Sequence, residues 1–273
     1  MKDNRISVSD ERQPLVSIIT VTKDAEQFLE LCIQSVICQS YPNIEYIVFD
    51  GMSVDSTLEI IKQYENHIDY WTSQADISMY DAINKAIEKS TGDIVAILNS
   101  DDRYVNNDVI SNVVNAITQT NADGIYGDMF IDYGKYSRYK KVFQVSFDQL
   151  LVSGKGTFVP HPTLFLKRDF VKTVGLYDLK FKYASDFEFI LRCLKKLKIY
   201  YVNFPITIFR RHSSSITASG NLREERQAIL KKYFYLRPES WRLRSFRKWL
   251  WFKYYALNLL HLIRNLSTRS IND

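Results

Sequence analysis

Ile94–Asp102 reads IVAILNSDD. An apolar run with the look of a buried strand stops abruptly at Asn99, Ser100, Asp101 and Asp102. Two carboxylates at the exit of a buried strand are costly unless something positive lies beside them. A divalent cation carrying a phosphorylated ligand meets that need, and oxygen ligands suit Mg²⁺ or Mn²⁺. The competing reading is an Asx-rich turn that caps the next helix.

Outward from this stretch, short β-rich apolar runs alternate with helical patterns. Leu15–Val21 and Ile44–Phe49 read as strands, the second ending in Asp50-Gly51. Between them, Ala25–Cys38 has helical spacing at Phe28, Leu31, Cys32, Ser35 and Val36. Ser56–Tyr64 reads as a helix, Ile68–Thr72 as a short strand, Ser78–Lys89 as a helix and Asp93–Leu98 as the next strand. This alternation predicts an α/β fold whose parallel sheet is covered on both faces. Ligands of such sheets bind beyond the carboxyl ends of the strands. Asp50 and Asp101 both lie just past strand ends, so both are expected to face one crevice. The second half reads differently. Asp123–Tyr133, Tyr139–Val145, Ile199–Val202 and Ile206–Arg210 look like strands, Val152–Thr163 like a loop, and Ala184–Leu197 like a helix.

Composition narrows the function classes. The 273 residues carry ordinary apolar and charged fractions for a soluble globular chain, with a formal net charge of +5. The excess is concentrated after Arg237, where Arg242, Arg244, Arg247, Lys248, Lys253, Arg264 and Arg269 face only Glu239 and Asp273. A near-neutral body with a basic tail argues against nucleic-acid binding. Cys32, Cys38 and Cys193 form no Cys-x-x-Cys pair, which argues against a zinc or redox site and fits a reducing compartment. The N-terminal residues are polar, with no apolar signal segment, and no apolar run is long enough to span a bilayer. The expected organisation is a loose tail over 1–13, a body over 14–220 and a basic, aromatic helical extension over 221–273.

Several clusters can carry chemistry, and each has a plainer reading. Asp50 can accept from a nucleobase N–H, or Asp50–Thr57 can be a turn whose Asp55 or Ser56 caps a helix. Asp81 and Lys85 are four apart on one helix face; they can flank a diphosphate or form a solvated ion pair worth a few tenths of a kcal/mol. Asp186 opens a helix, where the dipole favours a carboxylate; the same ionised group at a crevice mouth can act as a general base. His161 and His212 fall in loops, as metal ligands, proton carriers or surface polar residues. Arg210 and Arg211 suit phosphate.

In order, these segments resemble the inverting family 2 glycosyltransferases of the GT-A fold. The match runs from VSIITVTKDAEQFLELCIQSVICQSYPNIEYIVFDGMSVDST through DISMYDAINKAIEKSTGDIVAILNSDD, HPTLFLKRDF and VGLYDLKFKYASDFEFILR to FRRHSSSIT, covering about residues 14–217. The resemblance implies a mostly parallel central sheet with helices on both faces and a C-terminal helical extension. It implies a donor site from Thr20, Asp50, Ser53, Asp81, Lys85, Asn99, Ser100 and Asp101. It gives Asp186 as the catalytic base, Asp101 and His212 as ligands of Mg²⁺ or Mn²⁺, and His161 and Arg211 on the acceptor side. Two positions depart from the family's pattern: Asn99 replaces the first Asp of its DxD motif, and Ser185 replaces the Glu before the base.

The implied reaction is a metal-dependent single displacement. A nucleotide-sugar donor, expected to be a UDP-sugar, gives its sugar to a hydroxyl of a glycan or lipid-linked glycan, in the building of a bacterial surface polysaccharide. A nucleotidyltransferase would share the carboxylates and metal but release pyrophosphate, and a non-catalytic scaffold would keep only the fold. Trp241–Leu266 mixes basic and aromatic residues in the manner of an interfacial membrane segment. The expected location is cytoplasmic, peripheral at the inner face of the membrane. The same segment alternatively packs on its own body or on the second subunit of a homodimer.

Overall fold

The computed structural model describes residues 13–153, 158–211 and 221–234, together with Phe252 and Ala256. Strands β1 (Val16–Thr22), β2 (Ile44–Asp50), β3 (Tyr70–Ser73) and β4 (Ile94–Ile97) pair in parallel, in the order β3-β2-β1-β4. The crossovers are α1 (Leu29–Ile37), α2 (Thr57–Gln63) and α3 (Met79–Lys89). Alternation along each strand divides the core. Ile18, Val48 and Ala96 pack with Leu29, Cys32, Ile33 and Val36 of α1 and Ile61 of α2. Ile19, Phe49 and Ile97 pack on the other face with Ile83, Ala86 and Ile87 of α3. Each Ile, Leu, Val and Phe among them contributes about 1.5–3 kcal/mol by leaving water. Helix α3 begins sharply because the Ser78 side chain accepts from the Asp81 backbone N–H at 3.2 Å.

The second half extends the sheet. It contributes β5 (Arg103–Tyr104), α4 (Val109–Thr120), β6 (Gly124–Asp132), β7 (Ser137–Lys140), α5 (Phe147–Ser153), β8 (Phe165–Lys167), α6 (Phe170–Thr173), α7 (Ser185–Lys196), β9 (Ile199–Arg210) and α8 (Asn221–Phe234). The sheet continues from β4 as β8-β6-β9-β5, with β7 paired to β6. Here β8 runs antiparallel to both neighbours while β9 runs parallel to β6. The α/β architecture is as expected, but the sheet is mixed rather than mostly parallel, with its purely parallel part at β3-β2-β1-β4. Helix α4 covers the α1 side through Val109, Ile110, Val113, Val114 and Ile117. Helix α7 covers the α3 side through Phe187, Phe189, Ile190 and Leu191.

Three local expectations are corrected. The two strands expected within 199–210 are one strand, β9, in which Pro205 sits opposite Asp128 beside a register shift. A bulge absorbs a residue that has no N–H to give. Gly127 lies at the same place, and a Cβ there would stand 2.7 Å from the Phe204 carbonyl oxygen. The strand expected over Tyr139–Val145 stops at Lys140, because the Val142 N–H bonds instead to the Asp128 carboxylate at 2.7 Å. The loop expected over Val152–Thr163 begins inside α5 and ends in a 3₁₀ turn, His161–Thr163. No helix among the described residues is long and apolar enough to cross a membrane.

Candidate active site

The parallel strands end along one edge, and the turn after β4 forms its centre. The Asp102 N–H closes that turn on the Asn99 carbonyl at 3.0 Å. Asp102 is buried; its carboxylate accepts from the Arg210 backbone N–H at 3.1 Å and from the Asn99 side-chain amide at 3.2 Å. Burial, and then the charge of Asp101, push the Asp102 carboxyl well above the usual range. Asp102 therefore ties the turn to β9, while Asp101 and Ser100 stay half-buried at the edge. The Asn99 side-chain oxygen is buried and has no hydrogen-bond partner among the described residues. Two more buried oxygens on this edge share that condition: Thr22 Oγ1, at the end of β1, and Asp76 Oδ2, just after β3. Buried polar atoms are rarely left orphaned unless a ligand or water completes them.

The loop after β2 is held from within. Asp50 is fully buried and accepts from the Ser53 hydroxyl at 2.5 Å, the Ser53 N–H at 3.1 Å and the Ser73 hydroxyl at 2.5 Å. Ser53 Oγ in turn accepts from the Asp24 N–H at 2.8 Å, and Asp24 Oδ1 accepts from the Val54 N–H at 2.9 Å. Asp24 (φ 49°) and Met52 (φ 58°) adopt left-handed backbone conformations that cost non-glycine residues about 1 kcal/mol or more. Two adjoining loops are thus locked together at some expense. Thr20 does not belong to this edge. It is sealed on the α1 side, accepting from the Tyr46 hydroxyl at 3.2 Å beside Cys32. Thr20 and Thr22 share one face of β1, but Thr20 lies two residues short of the strand end and is covered by α1, whereas Thr22 ends the strand.

Asp81 and Lys85 pair at 2.8 Å, but Lys85 also reaches Asp76 at 2.7 Å. Asp76 is the principal cause of the raised Lys85 pKa, followed by Asp81. The hydrogen bond from Lys85 is the main cause holding the Asp81 carboxyl below its ordinary value. Asp81 also accepts from the Ile77 N–H at 3.1 Å, so the triad shapes the β3–α3 loop. Asn84, one turn along, makes a two-way amide clamp on the Tyr177 backbone, both bonds 2.9 Å.

Asp186 is half-buried in the first turn of α7, and its carboxylate accepts from the Phe187 N–H at 2.7 Å. Its surroundings come from three other segments. Burial and then the Asp186 charge raise the Tyr80 phenol. Burial lowers the His161 imidazole, and the Asp186 charge opposes that shift. His161 Nε2 bonds to the Tyr177 hydroxyl at 2.7 Å, and the Tyr177 ring stacks on both Tyr80 and Phe189. A carboxylate, a neutral-leaning imidazole and two phenols therefore form one wall at the start of α7.

Helix α8 holds this wall in place. The Glu225 carboxylate accepts the N–H groups of Lys182, Tyr183 and Ala184 at 2.7–2.9 Å, immediately before α7. Buried Glu188 bonds Arg192 at 2.7 Å and the Tyr233 hydroxyl at 2.9 Å. Arg192 then binds the carbonyls of Val174 and Leu176 at 2.6 and 2.7 Å. The first helix of the expected extension is thus bonded to the element that carries Asp186.

The residues over 17–176 match the profile of glycosyl transferase family 2. This chain belongs to that family. An uncharacterized glycosyltransferase of Mycobacterium tuberculosis H37Rv is 34% identical over 181 residues, 66% of this chain and 68% of its own length. A putative teichuronic acid biosynthesis glycosyltransferase of Bacillus subtilis, TuaG, is 38% identical over 97 residues, 34% of this chain and 38% of its own. Residues 1–349 of Staphylococcus aureus TarS, in complex with UDP-GlcNAc, superpose with a TM-score of 0.67 at 17% identity, covering 85% of this chain and 70% of that one. The structural likeness shows the fold, and the family match makes the chain a glycosyltransferase.

Within this glycosyltransferase the structure brings Asn99, Ser100, Asp101, Asp50, Ser53, Asp81 and Lys85 to the strand-end edge, and Asp186 together with His161. Arg211 is exposed at the end of β9, its guanidinium 5.8 Å from the Tyr133 ring centroid. His212 lies outside the described residues, as does the basic aromatic segment Trp241–Leu266 apart from Phe252 and Ala256. Thr22, Asp76, Tyr177 and Glu225 carry no site role in the sequence reading. Thr22 was findable as the last strand residue before the loop; Glu225 carries no local signal.

Proposed function

We propose that this glycosyltransferase moves a sugar from a UDP-sugar to a hydroxyl of a cell-surface glycan, with inversion, in the presence of Mg²⁺ or Mn²⁺. The observation that carries this reading is the row of orphaned buried oxygens, Thr22 Oγ1, Asn99 Oδ1 and Asp76 Oδ2, along the strand-end edge where an α/β sheet binds its ligand. UDP-GlcNAc in TarS and the teichuronic acid role in the name of TuaG support the donor and pathway class.

Asn99 Oδ1 and the Asp101 carboxylate are hard oxygen donors of the type these cations take, and His212 is the third candidate from outside the described residues. A cation held there would neutralise charge on the departing diphosphate. Asp186 accepts the proton of the acceptor hydroxyl as its oxygen bonds the anomeric carbon. The bond to the diphosphate breaks, and its electron pair leaves with UDP. Attack from the face opposite the leaving group inverts the centre. Tyr80, His161 and Tyr177 surround Asp186 and fix where the acceptor hydroxyl meets it. Asp50 and Ser53 keep the floor of the nucleotide pocket rigid.

A panel of nucleotide sugars tested by thermal shift checks this reading. UDP-sugars with Mn²⁺ are expected to raise Tm, because ligand at 100 times Kd adds about 2.7 kcal/mol to stability. No shift with any nucleotide, with or without metal, would contradict it.

A further inference from the structure

Helix α1 meets the turn after β4 from behind. The Cys32 thiol donates to the Asn99 carbonyl at 3.4 Å, and the same carbonyl accepts the Asp102 N–H that closes the turn. Both lone pairs of that oxygen are used, which fixes the first peptide of the turn. A thiol carries one hydrogen, and Asn99 takes it. The 3.8 Å contact between Thr20 Oγ1 and Cys32 Sγ therefore runs from hydroxyl to sulfur. Thr20 in turn accepts from the Tyr46 hydroxyl at 3.2 Å. The donation passes in one direction, from Tyr46 through Thr20 and Cys32 to Asn99. Tyr46, Thr20 and Cys32 are all buried, where hydrogen bonds in a chain strengthen one another. Burial pushes the Cys32 thiol up to about 12, so the sulfur keeps the proton it donates.

One turn along α1, Ser35 grips the other end of the same turn. Its hydroxyl donates to the Cys32 carbonyl at 2.8 Å and accepts from the Tyr104 N–H at 3.1 Å, two residues beyond Asp102. Gln39, just past the helix, donates to the Asn106 carbonyl at 2.7 Å and accepts from the Ile110 N–H at 3.1 Å. Positions 32, 35 and 39 fall on one helical stripe, and that stripe faces the chain from Asn99 to Ile110.

We propose that Cys32 and Ser35 are positioning residues that clamp the turn carrying Asn99 and Asp101, so that its oxygen donors are set before the cation arrives. The proposal rests on the reading of Asn99 and Asp101 as metal ligands. Neither Cys32 nor Ser35 touches the metal or the nucleotide in this account; each acts through the backbone of the turn.

The test is calorimetric titration of UDP into the full chain, with and without Mn²⁺, on wild type, Cys32→Ala, Cys32→Ser and Ser35→Ala. Cys32→Ala and Cys32→Ser shorten the side chain alike, so the difference between them reports the donated bond rather than packing. The gain in UDP affinity on adding Mn²⁺ is expected to fall about fivefold to tenfold in Cys32→Ala and Ser35→Ala, the worth of one hydrogen bond, and to stay within about twofold of wild type in Cys32→Ser. UDP affinity without metal is expected to be the same in all four proteins. A gain that survives the alanine variants, or that falls as far in Cys32→Ser as in Cys32→Ala, would overturn the clamp. So would a parallel fall in the metal-free affinity, which would make α1 a support for the whole pocket. Ser35 is half-buried, so Ser35→Ala decides the matter if Cys32→Ala does not fold. Absence of any metal gain in wild type would overturn the metal reading and the clamp together, whereas a wild-type gain that the alanine variants keep overturns the clamp alone.

Discussion

Asp186→Asn is expected to keep donor affinity and lose transfer by a factor of about 10²–10⁴, the usual contribution of a positioned general base. The amide has the same shape and its oxygen can still accept from the Phe187 N–H, now 2.7 Å from the carboxylate. Helix α7 therefore keeps its first turn, and the variant should fold with wild-type stability. The amide oxygen cannot take a proton from the acceptor hydroxyl. The loss should accordingly appear in kcat, with KM for the donor little changed, the signature of an interaction made in the transition state. Steady-state kinetics on the transfer reaction measures this, and near-normal turnover would remove Asp186 from the role of base.

Glu188→Ala is expected to destabilise the protein by about 3–5 kcal/mol, because it leaves the Arg192 guanidinium without its buried partner. The loss should exceed that of an ordinary surface pair. Glu188 is 1% exposed and is bonded at once to Arg192 and to Tyr233 of α8. Arg192 also carries two backbone carbonyls of the segment that precedes α7. Urea unfolding with an unchanged slope would report the difference as a shifted midpoint. A change below about 1 kcal/mol, the level of an exposed pair, would show that α8 is not held through this network.

The first half of the fold was legible because its signals are local. The apolar runs and helical spacings over Leu15–Leu98 each lie within one element, and the carboxyl-end rule then put Asp50 and Asp101 on one edge. Helix α4 was equally local: Val109, Ile110, Val113, Val114 and Ile117 fall on one helical face. Thr20 sits two residues short of the end of β1, where α1 covers the face that it shares with Thr22, and only the strand end reaches the crevice. The strand running through Pro205 was hidden because its bulge depends on the partner strand β6. The support of Asp186 was hidden for the same reason. Glu225 meets residues 182–184 about forty positions earlier in the chain. No periodicity encodes such a contact.

We propose that the strand-end edge with Asn99 and Asp101 holds a nucleotide through a divalent cation. Calorimetric titration of UDP into the full chain, with and without Mn²⁺, tests it most directly when repeated on Asp101→Ala. Wild type is expected to bind UDP at least tenfold more tightly with Mn²⁺, and Asp101→Ala to lose that enhancement. Binding of UDP that is the same with and without the metal, or a metal enhancement that survives Asp101→Ala, would contradict the account.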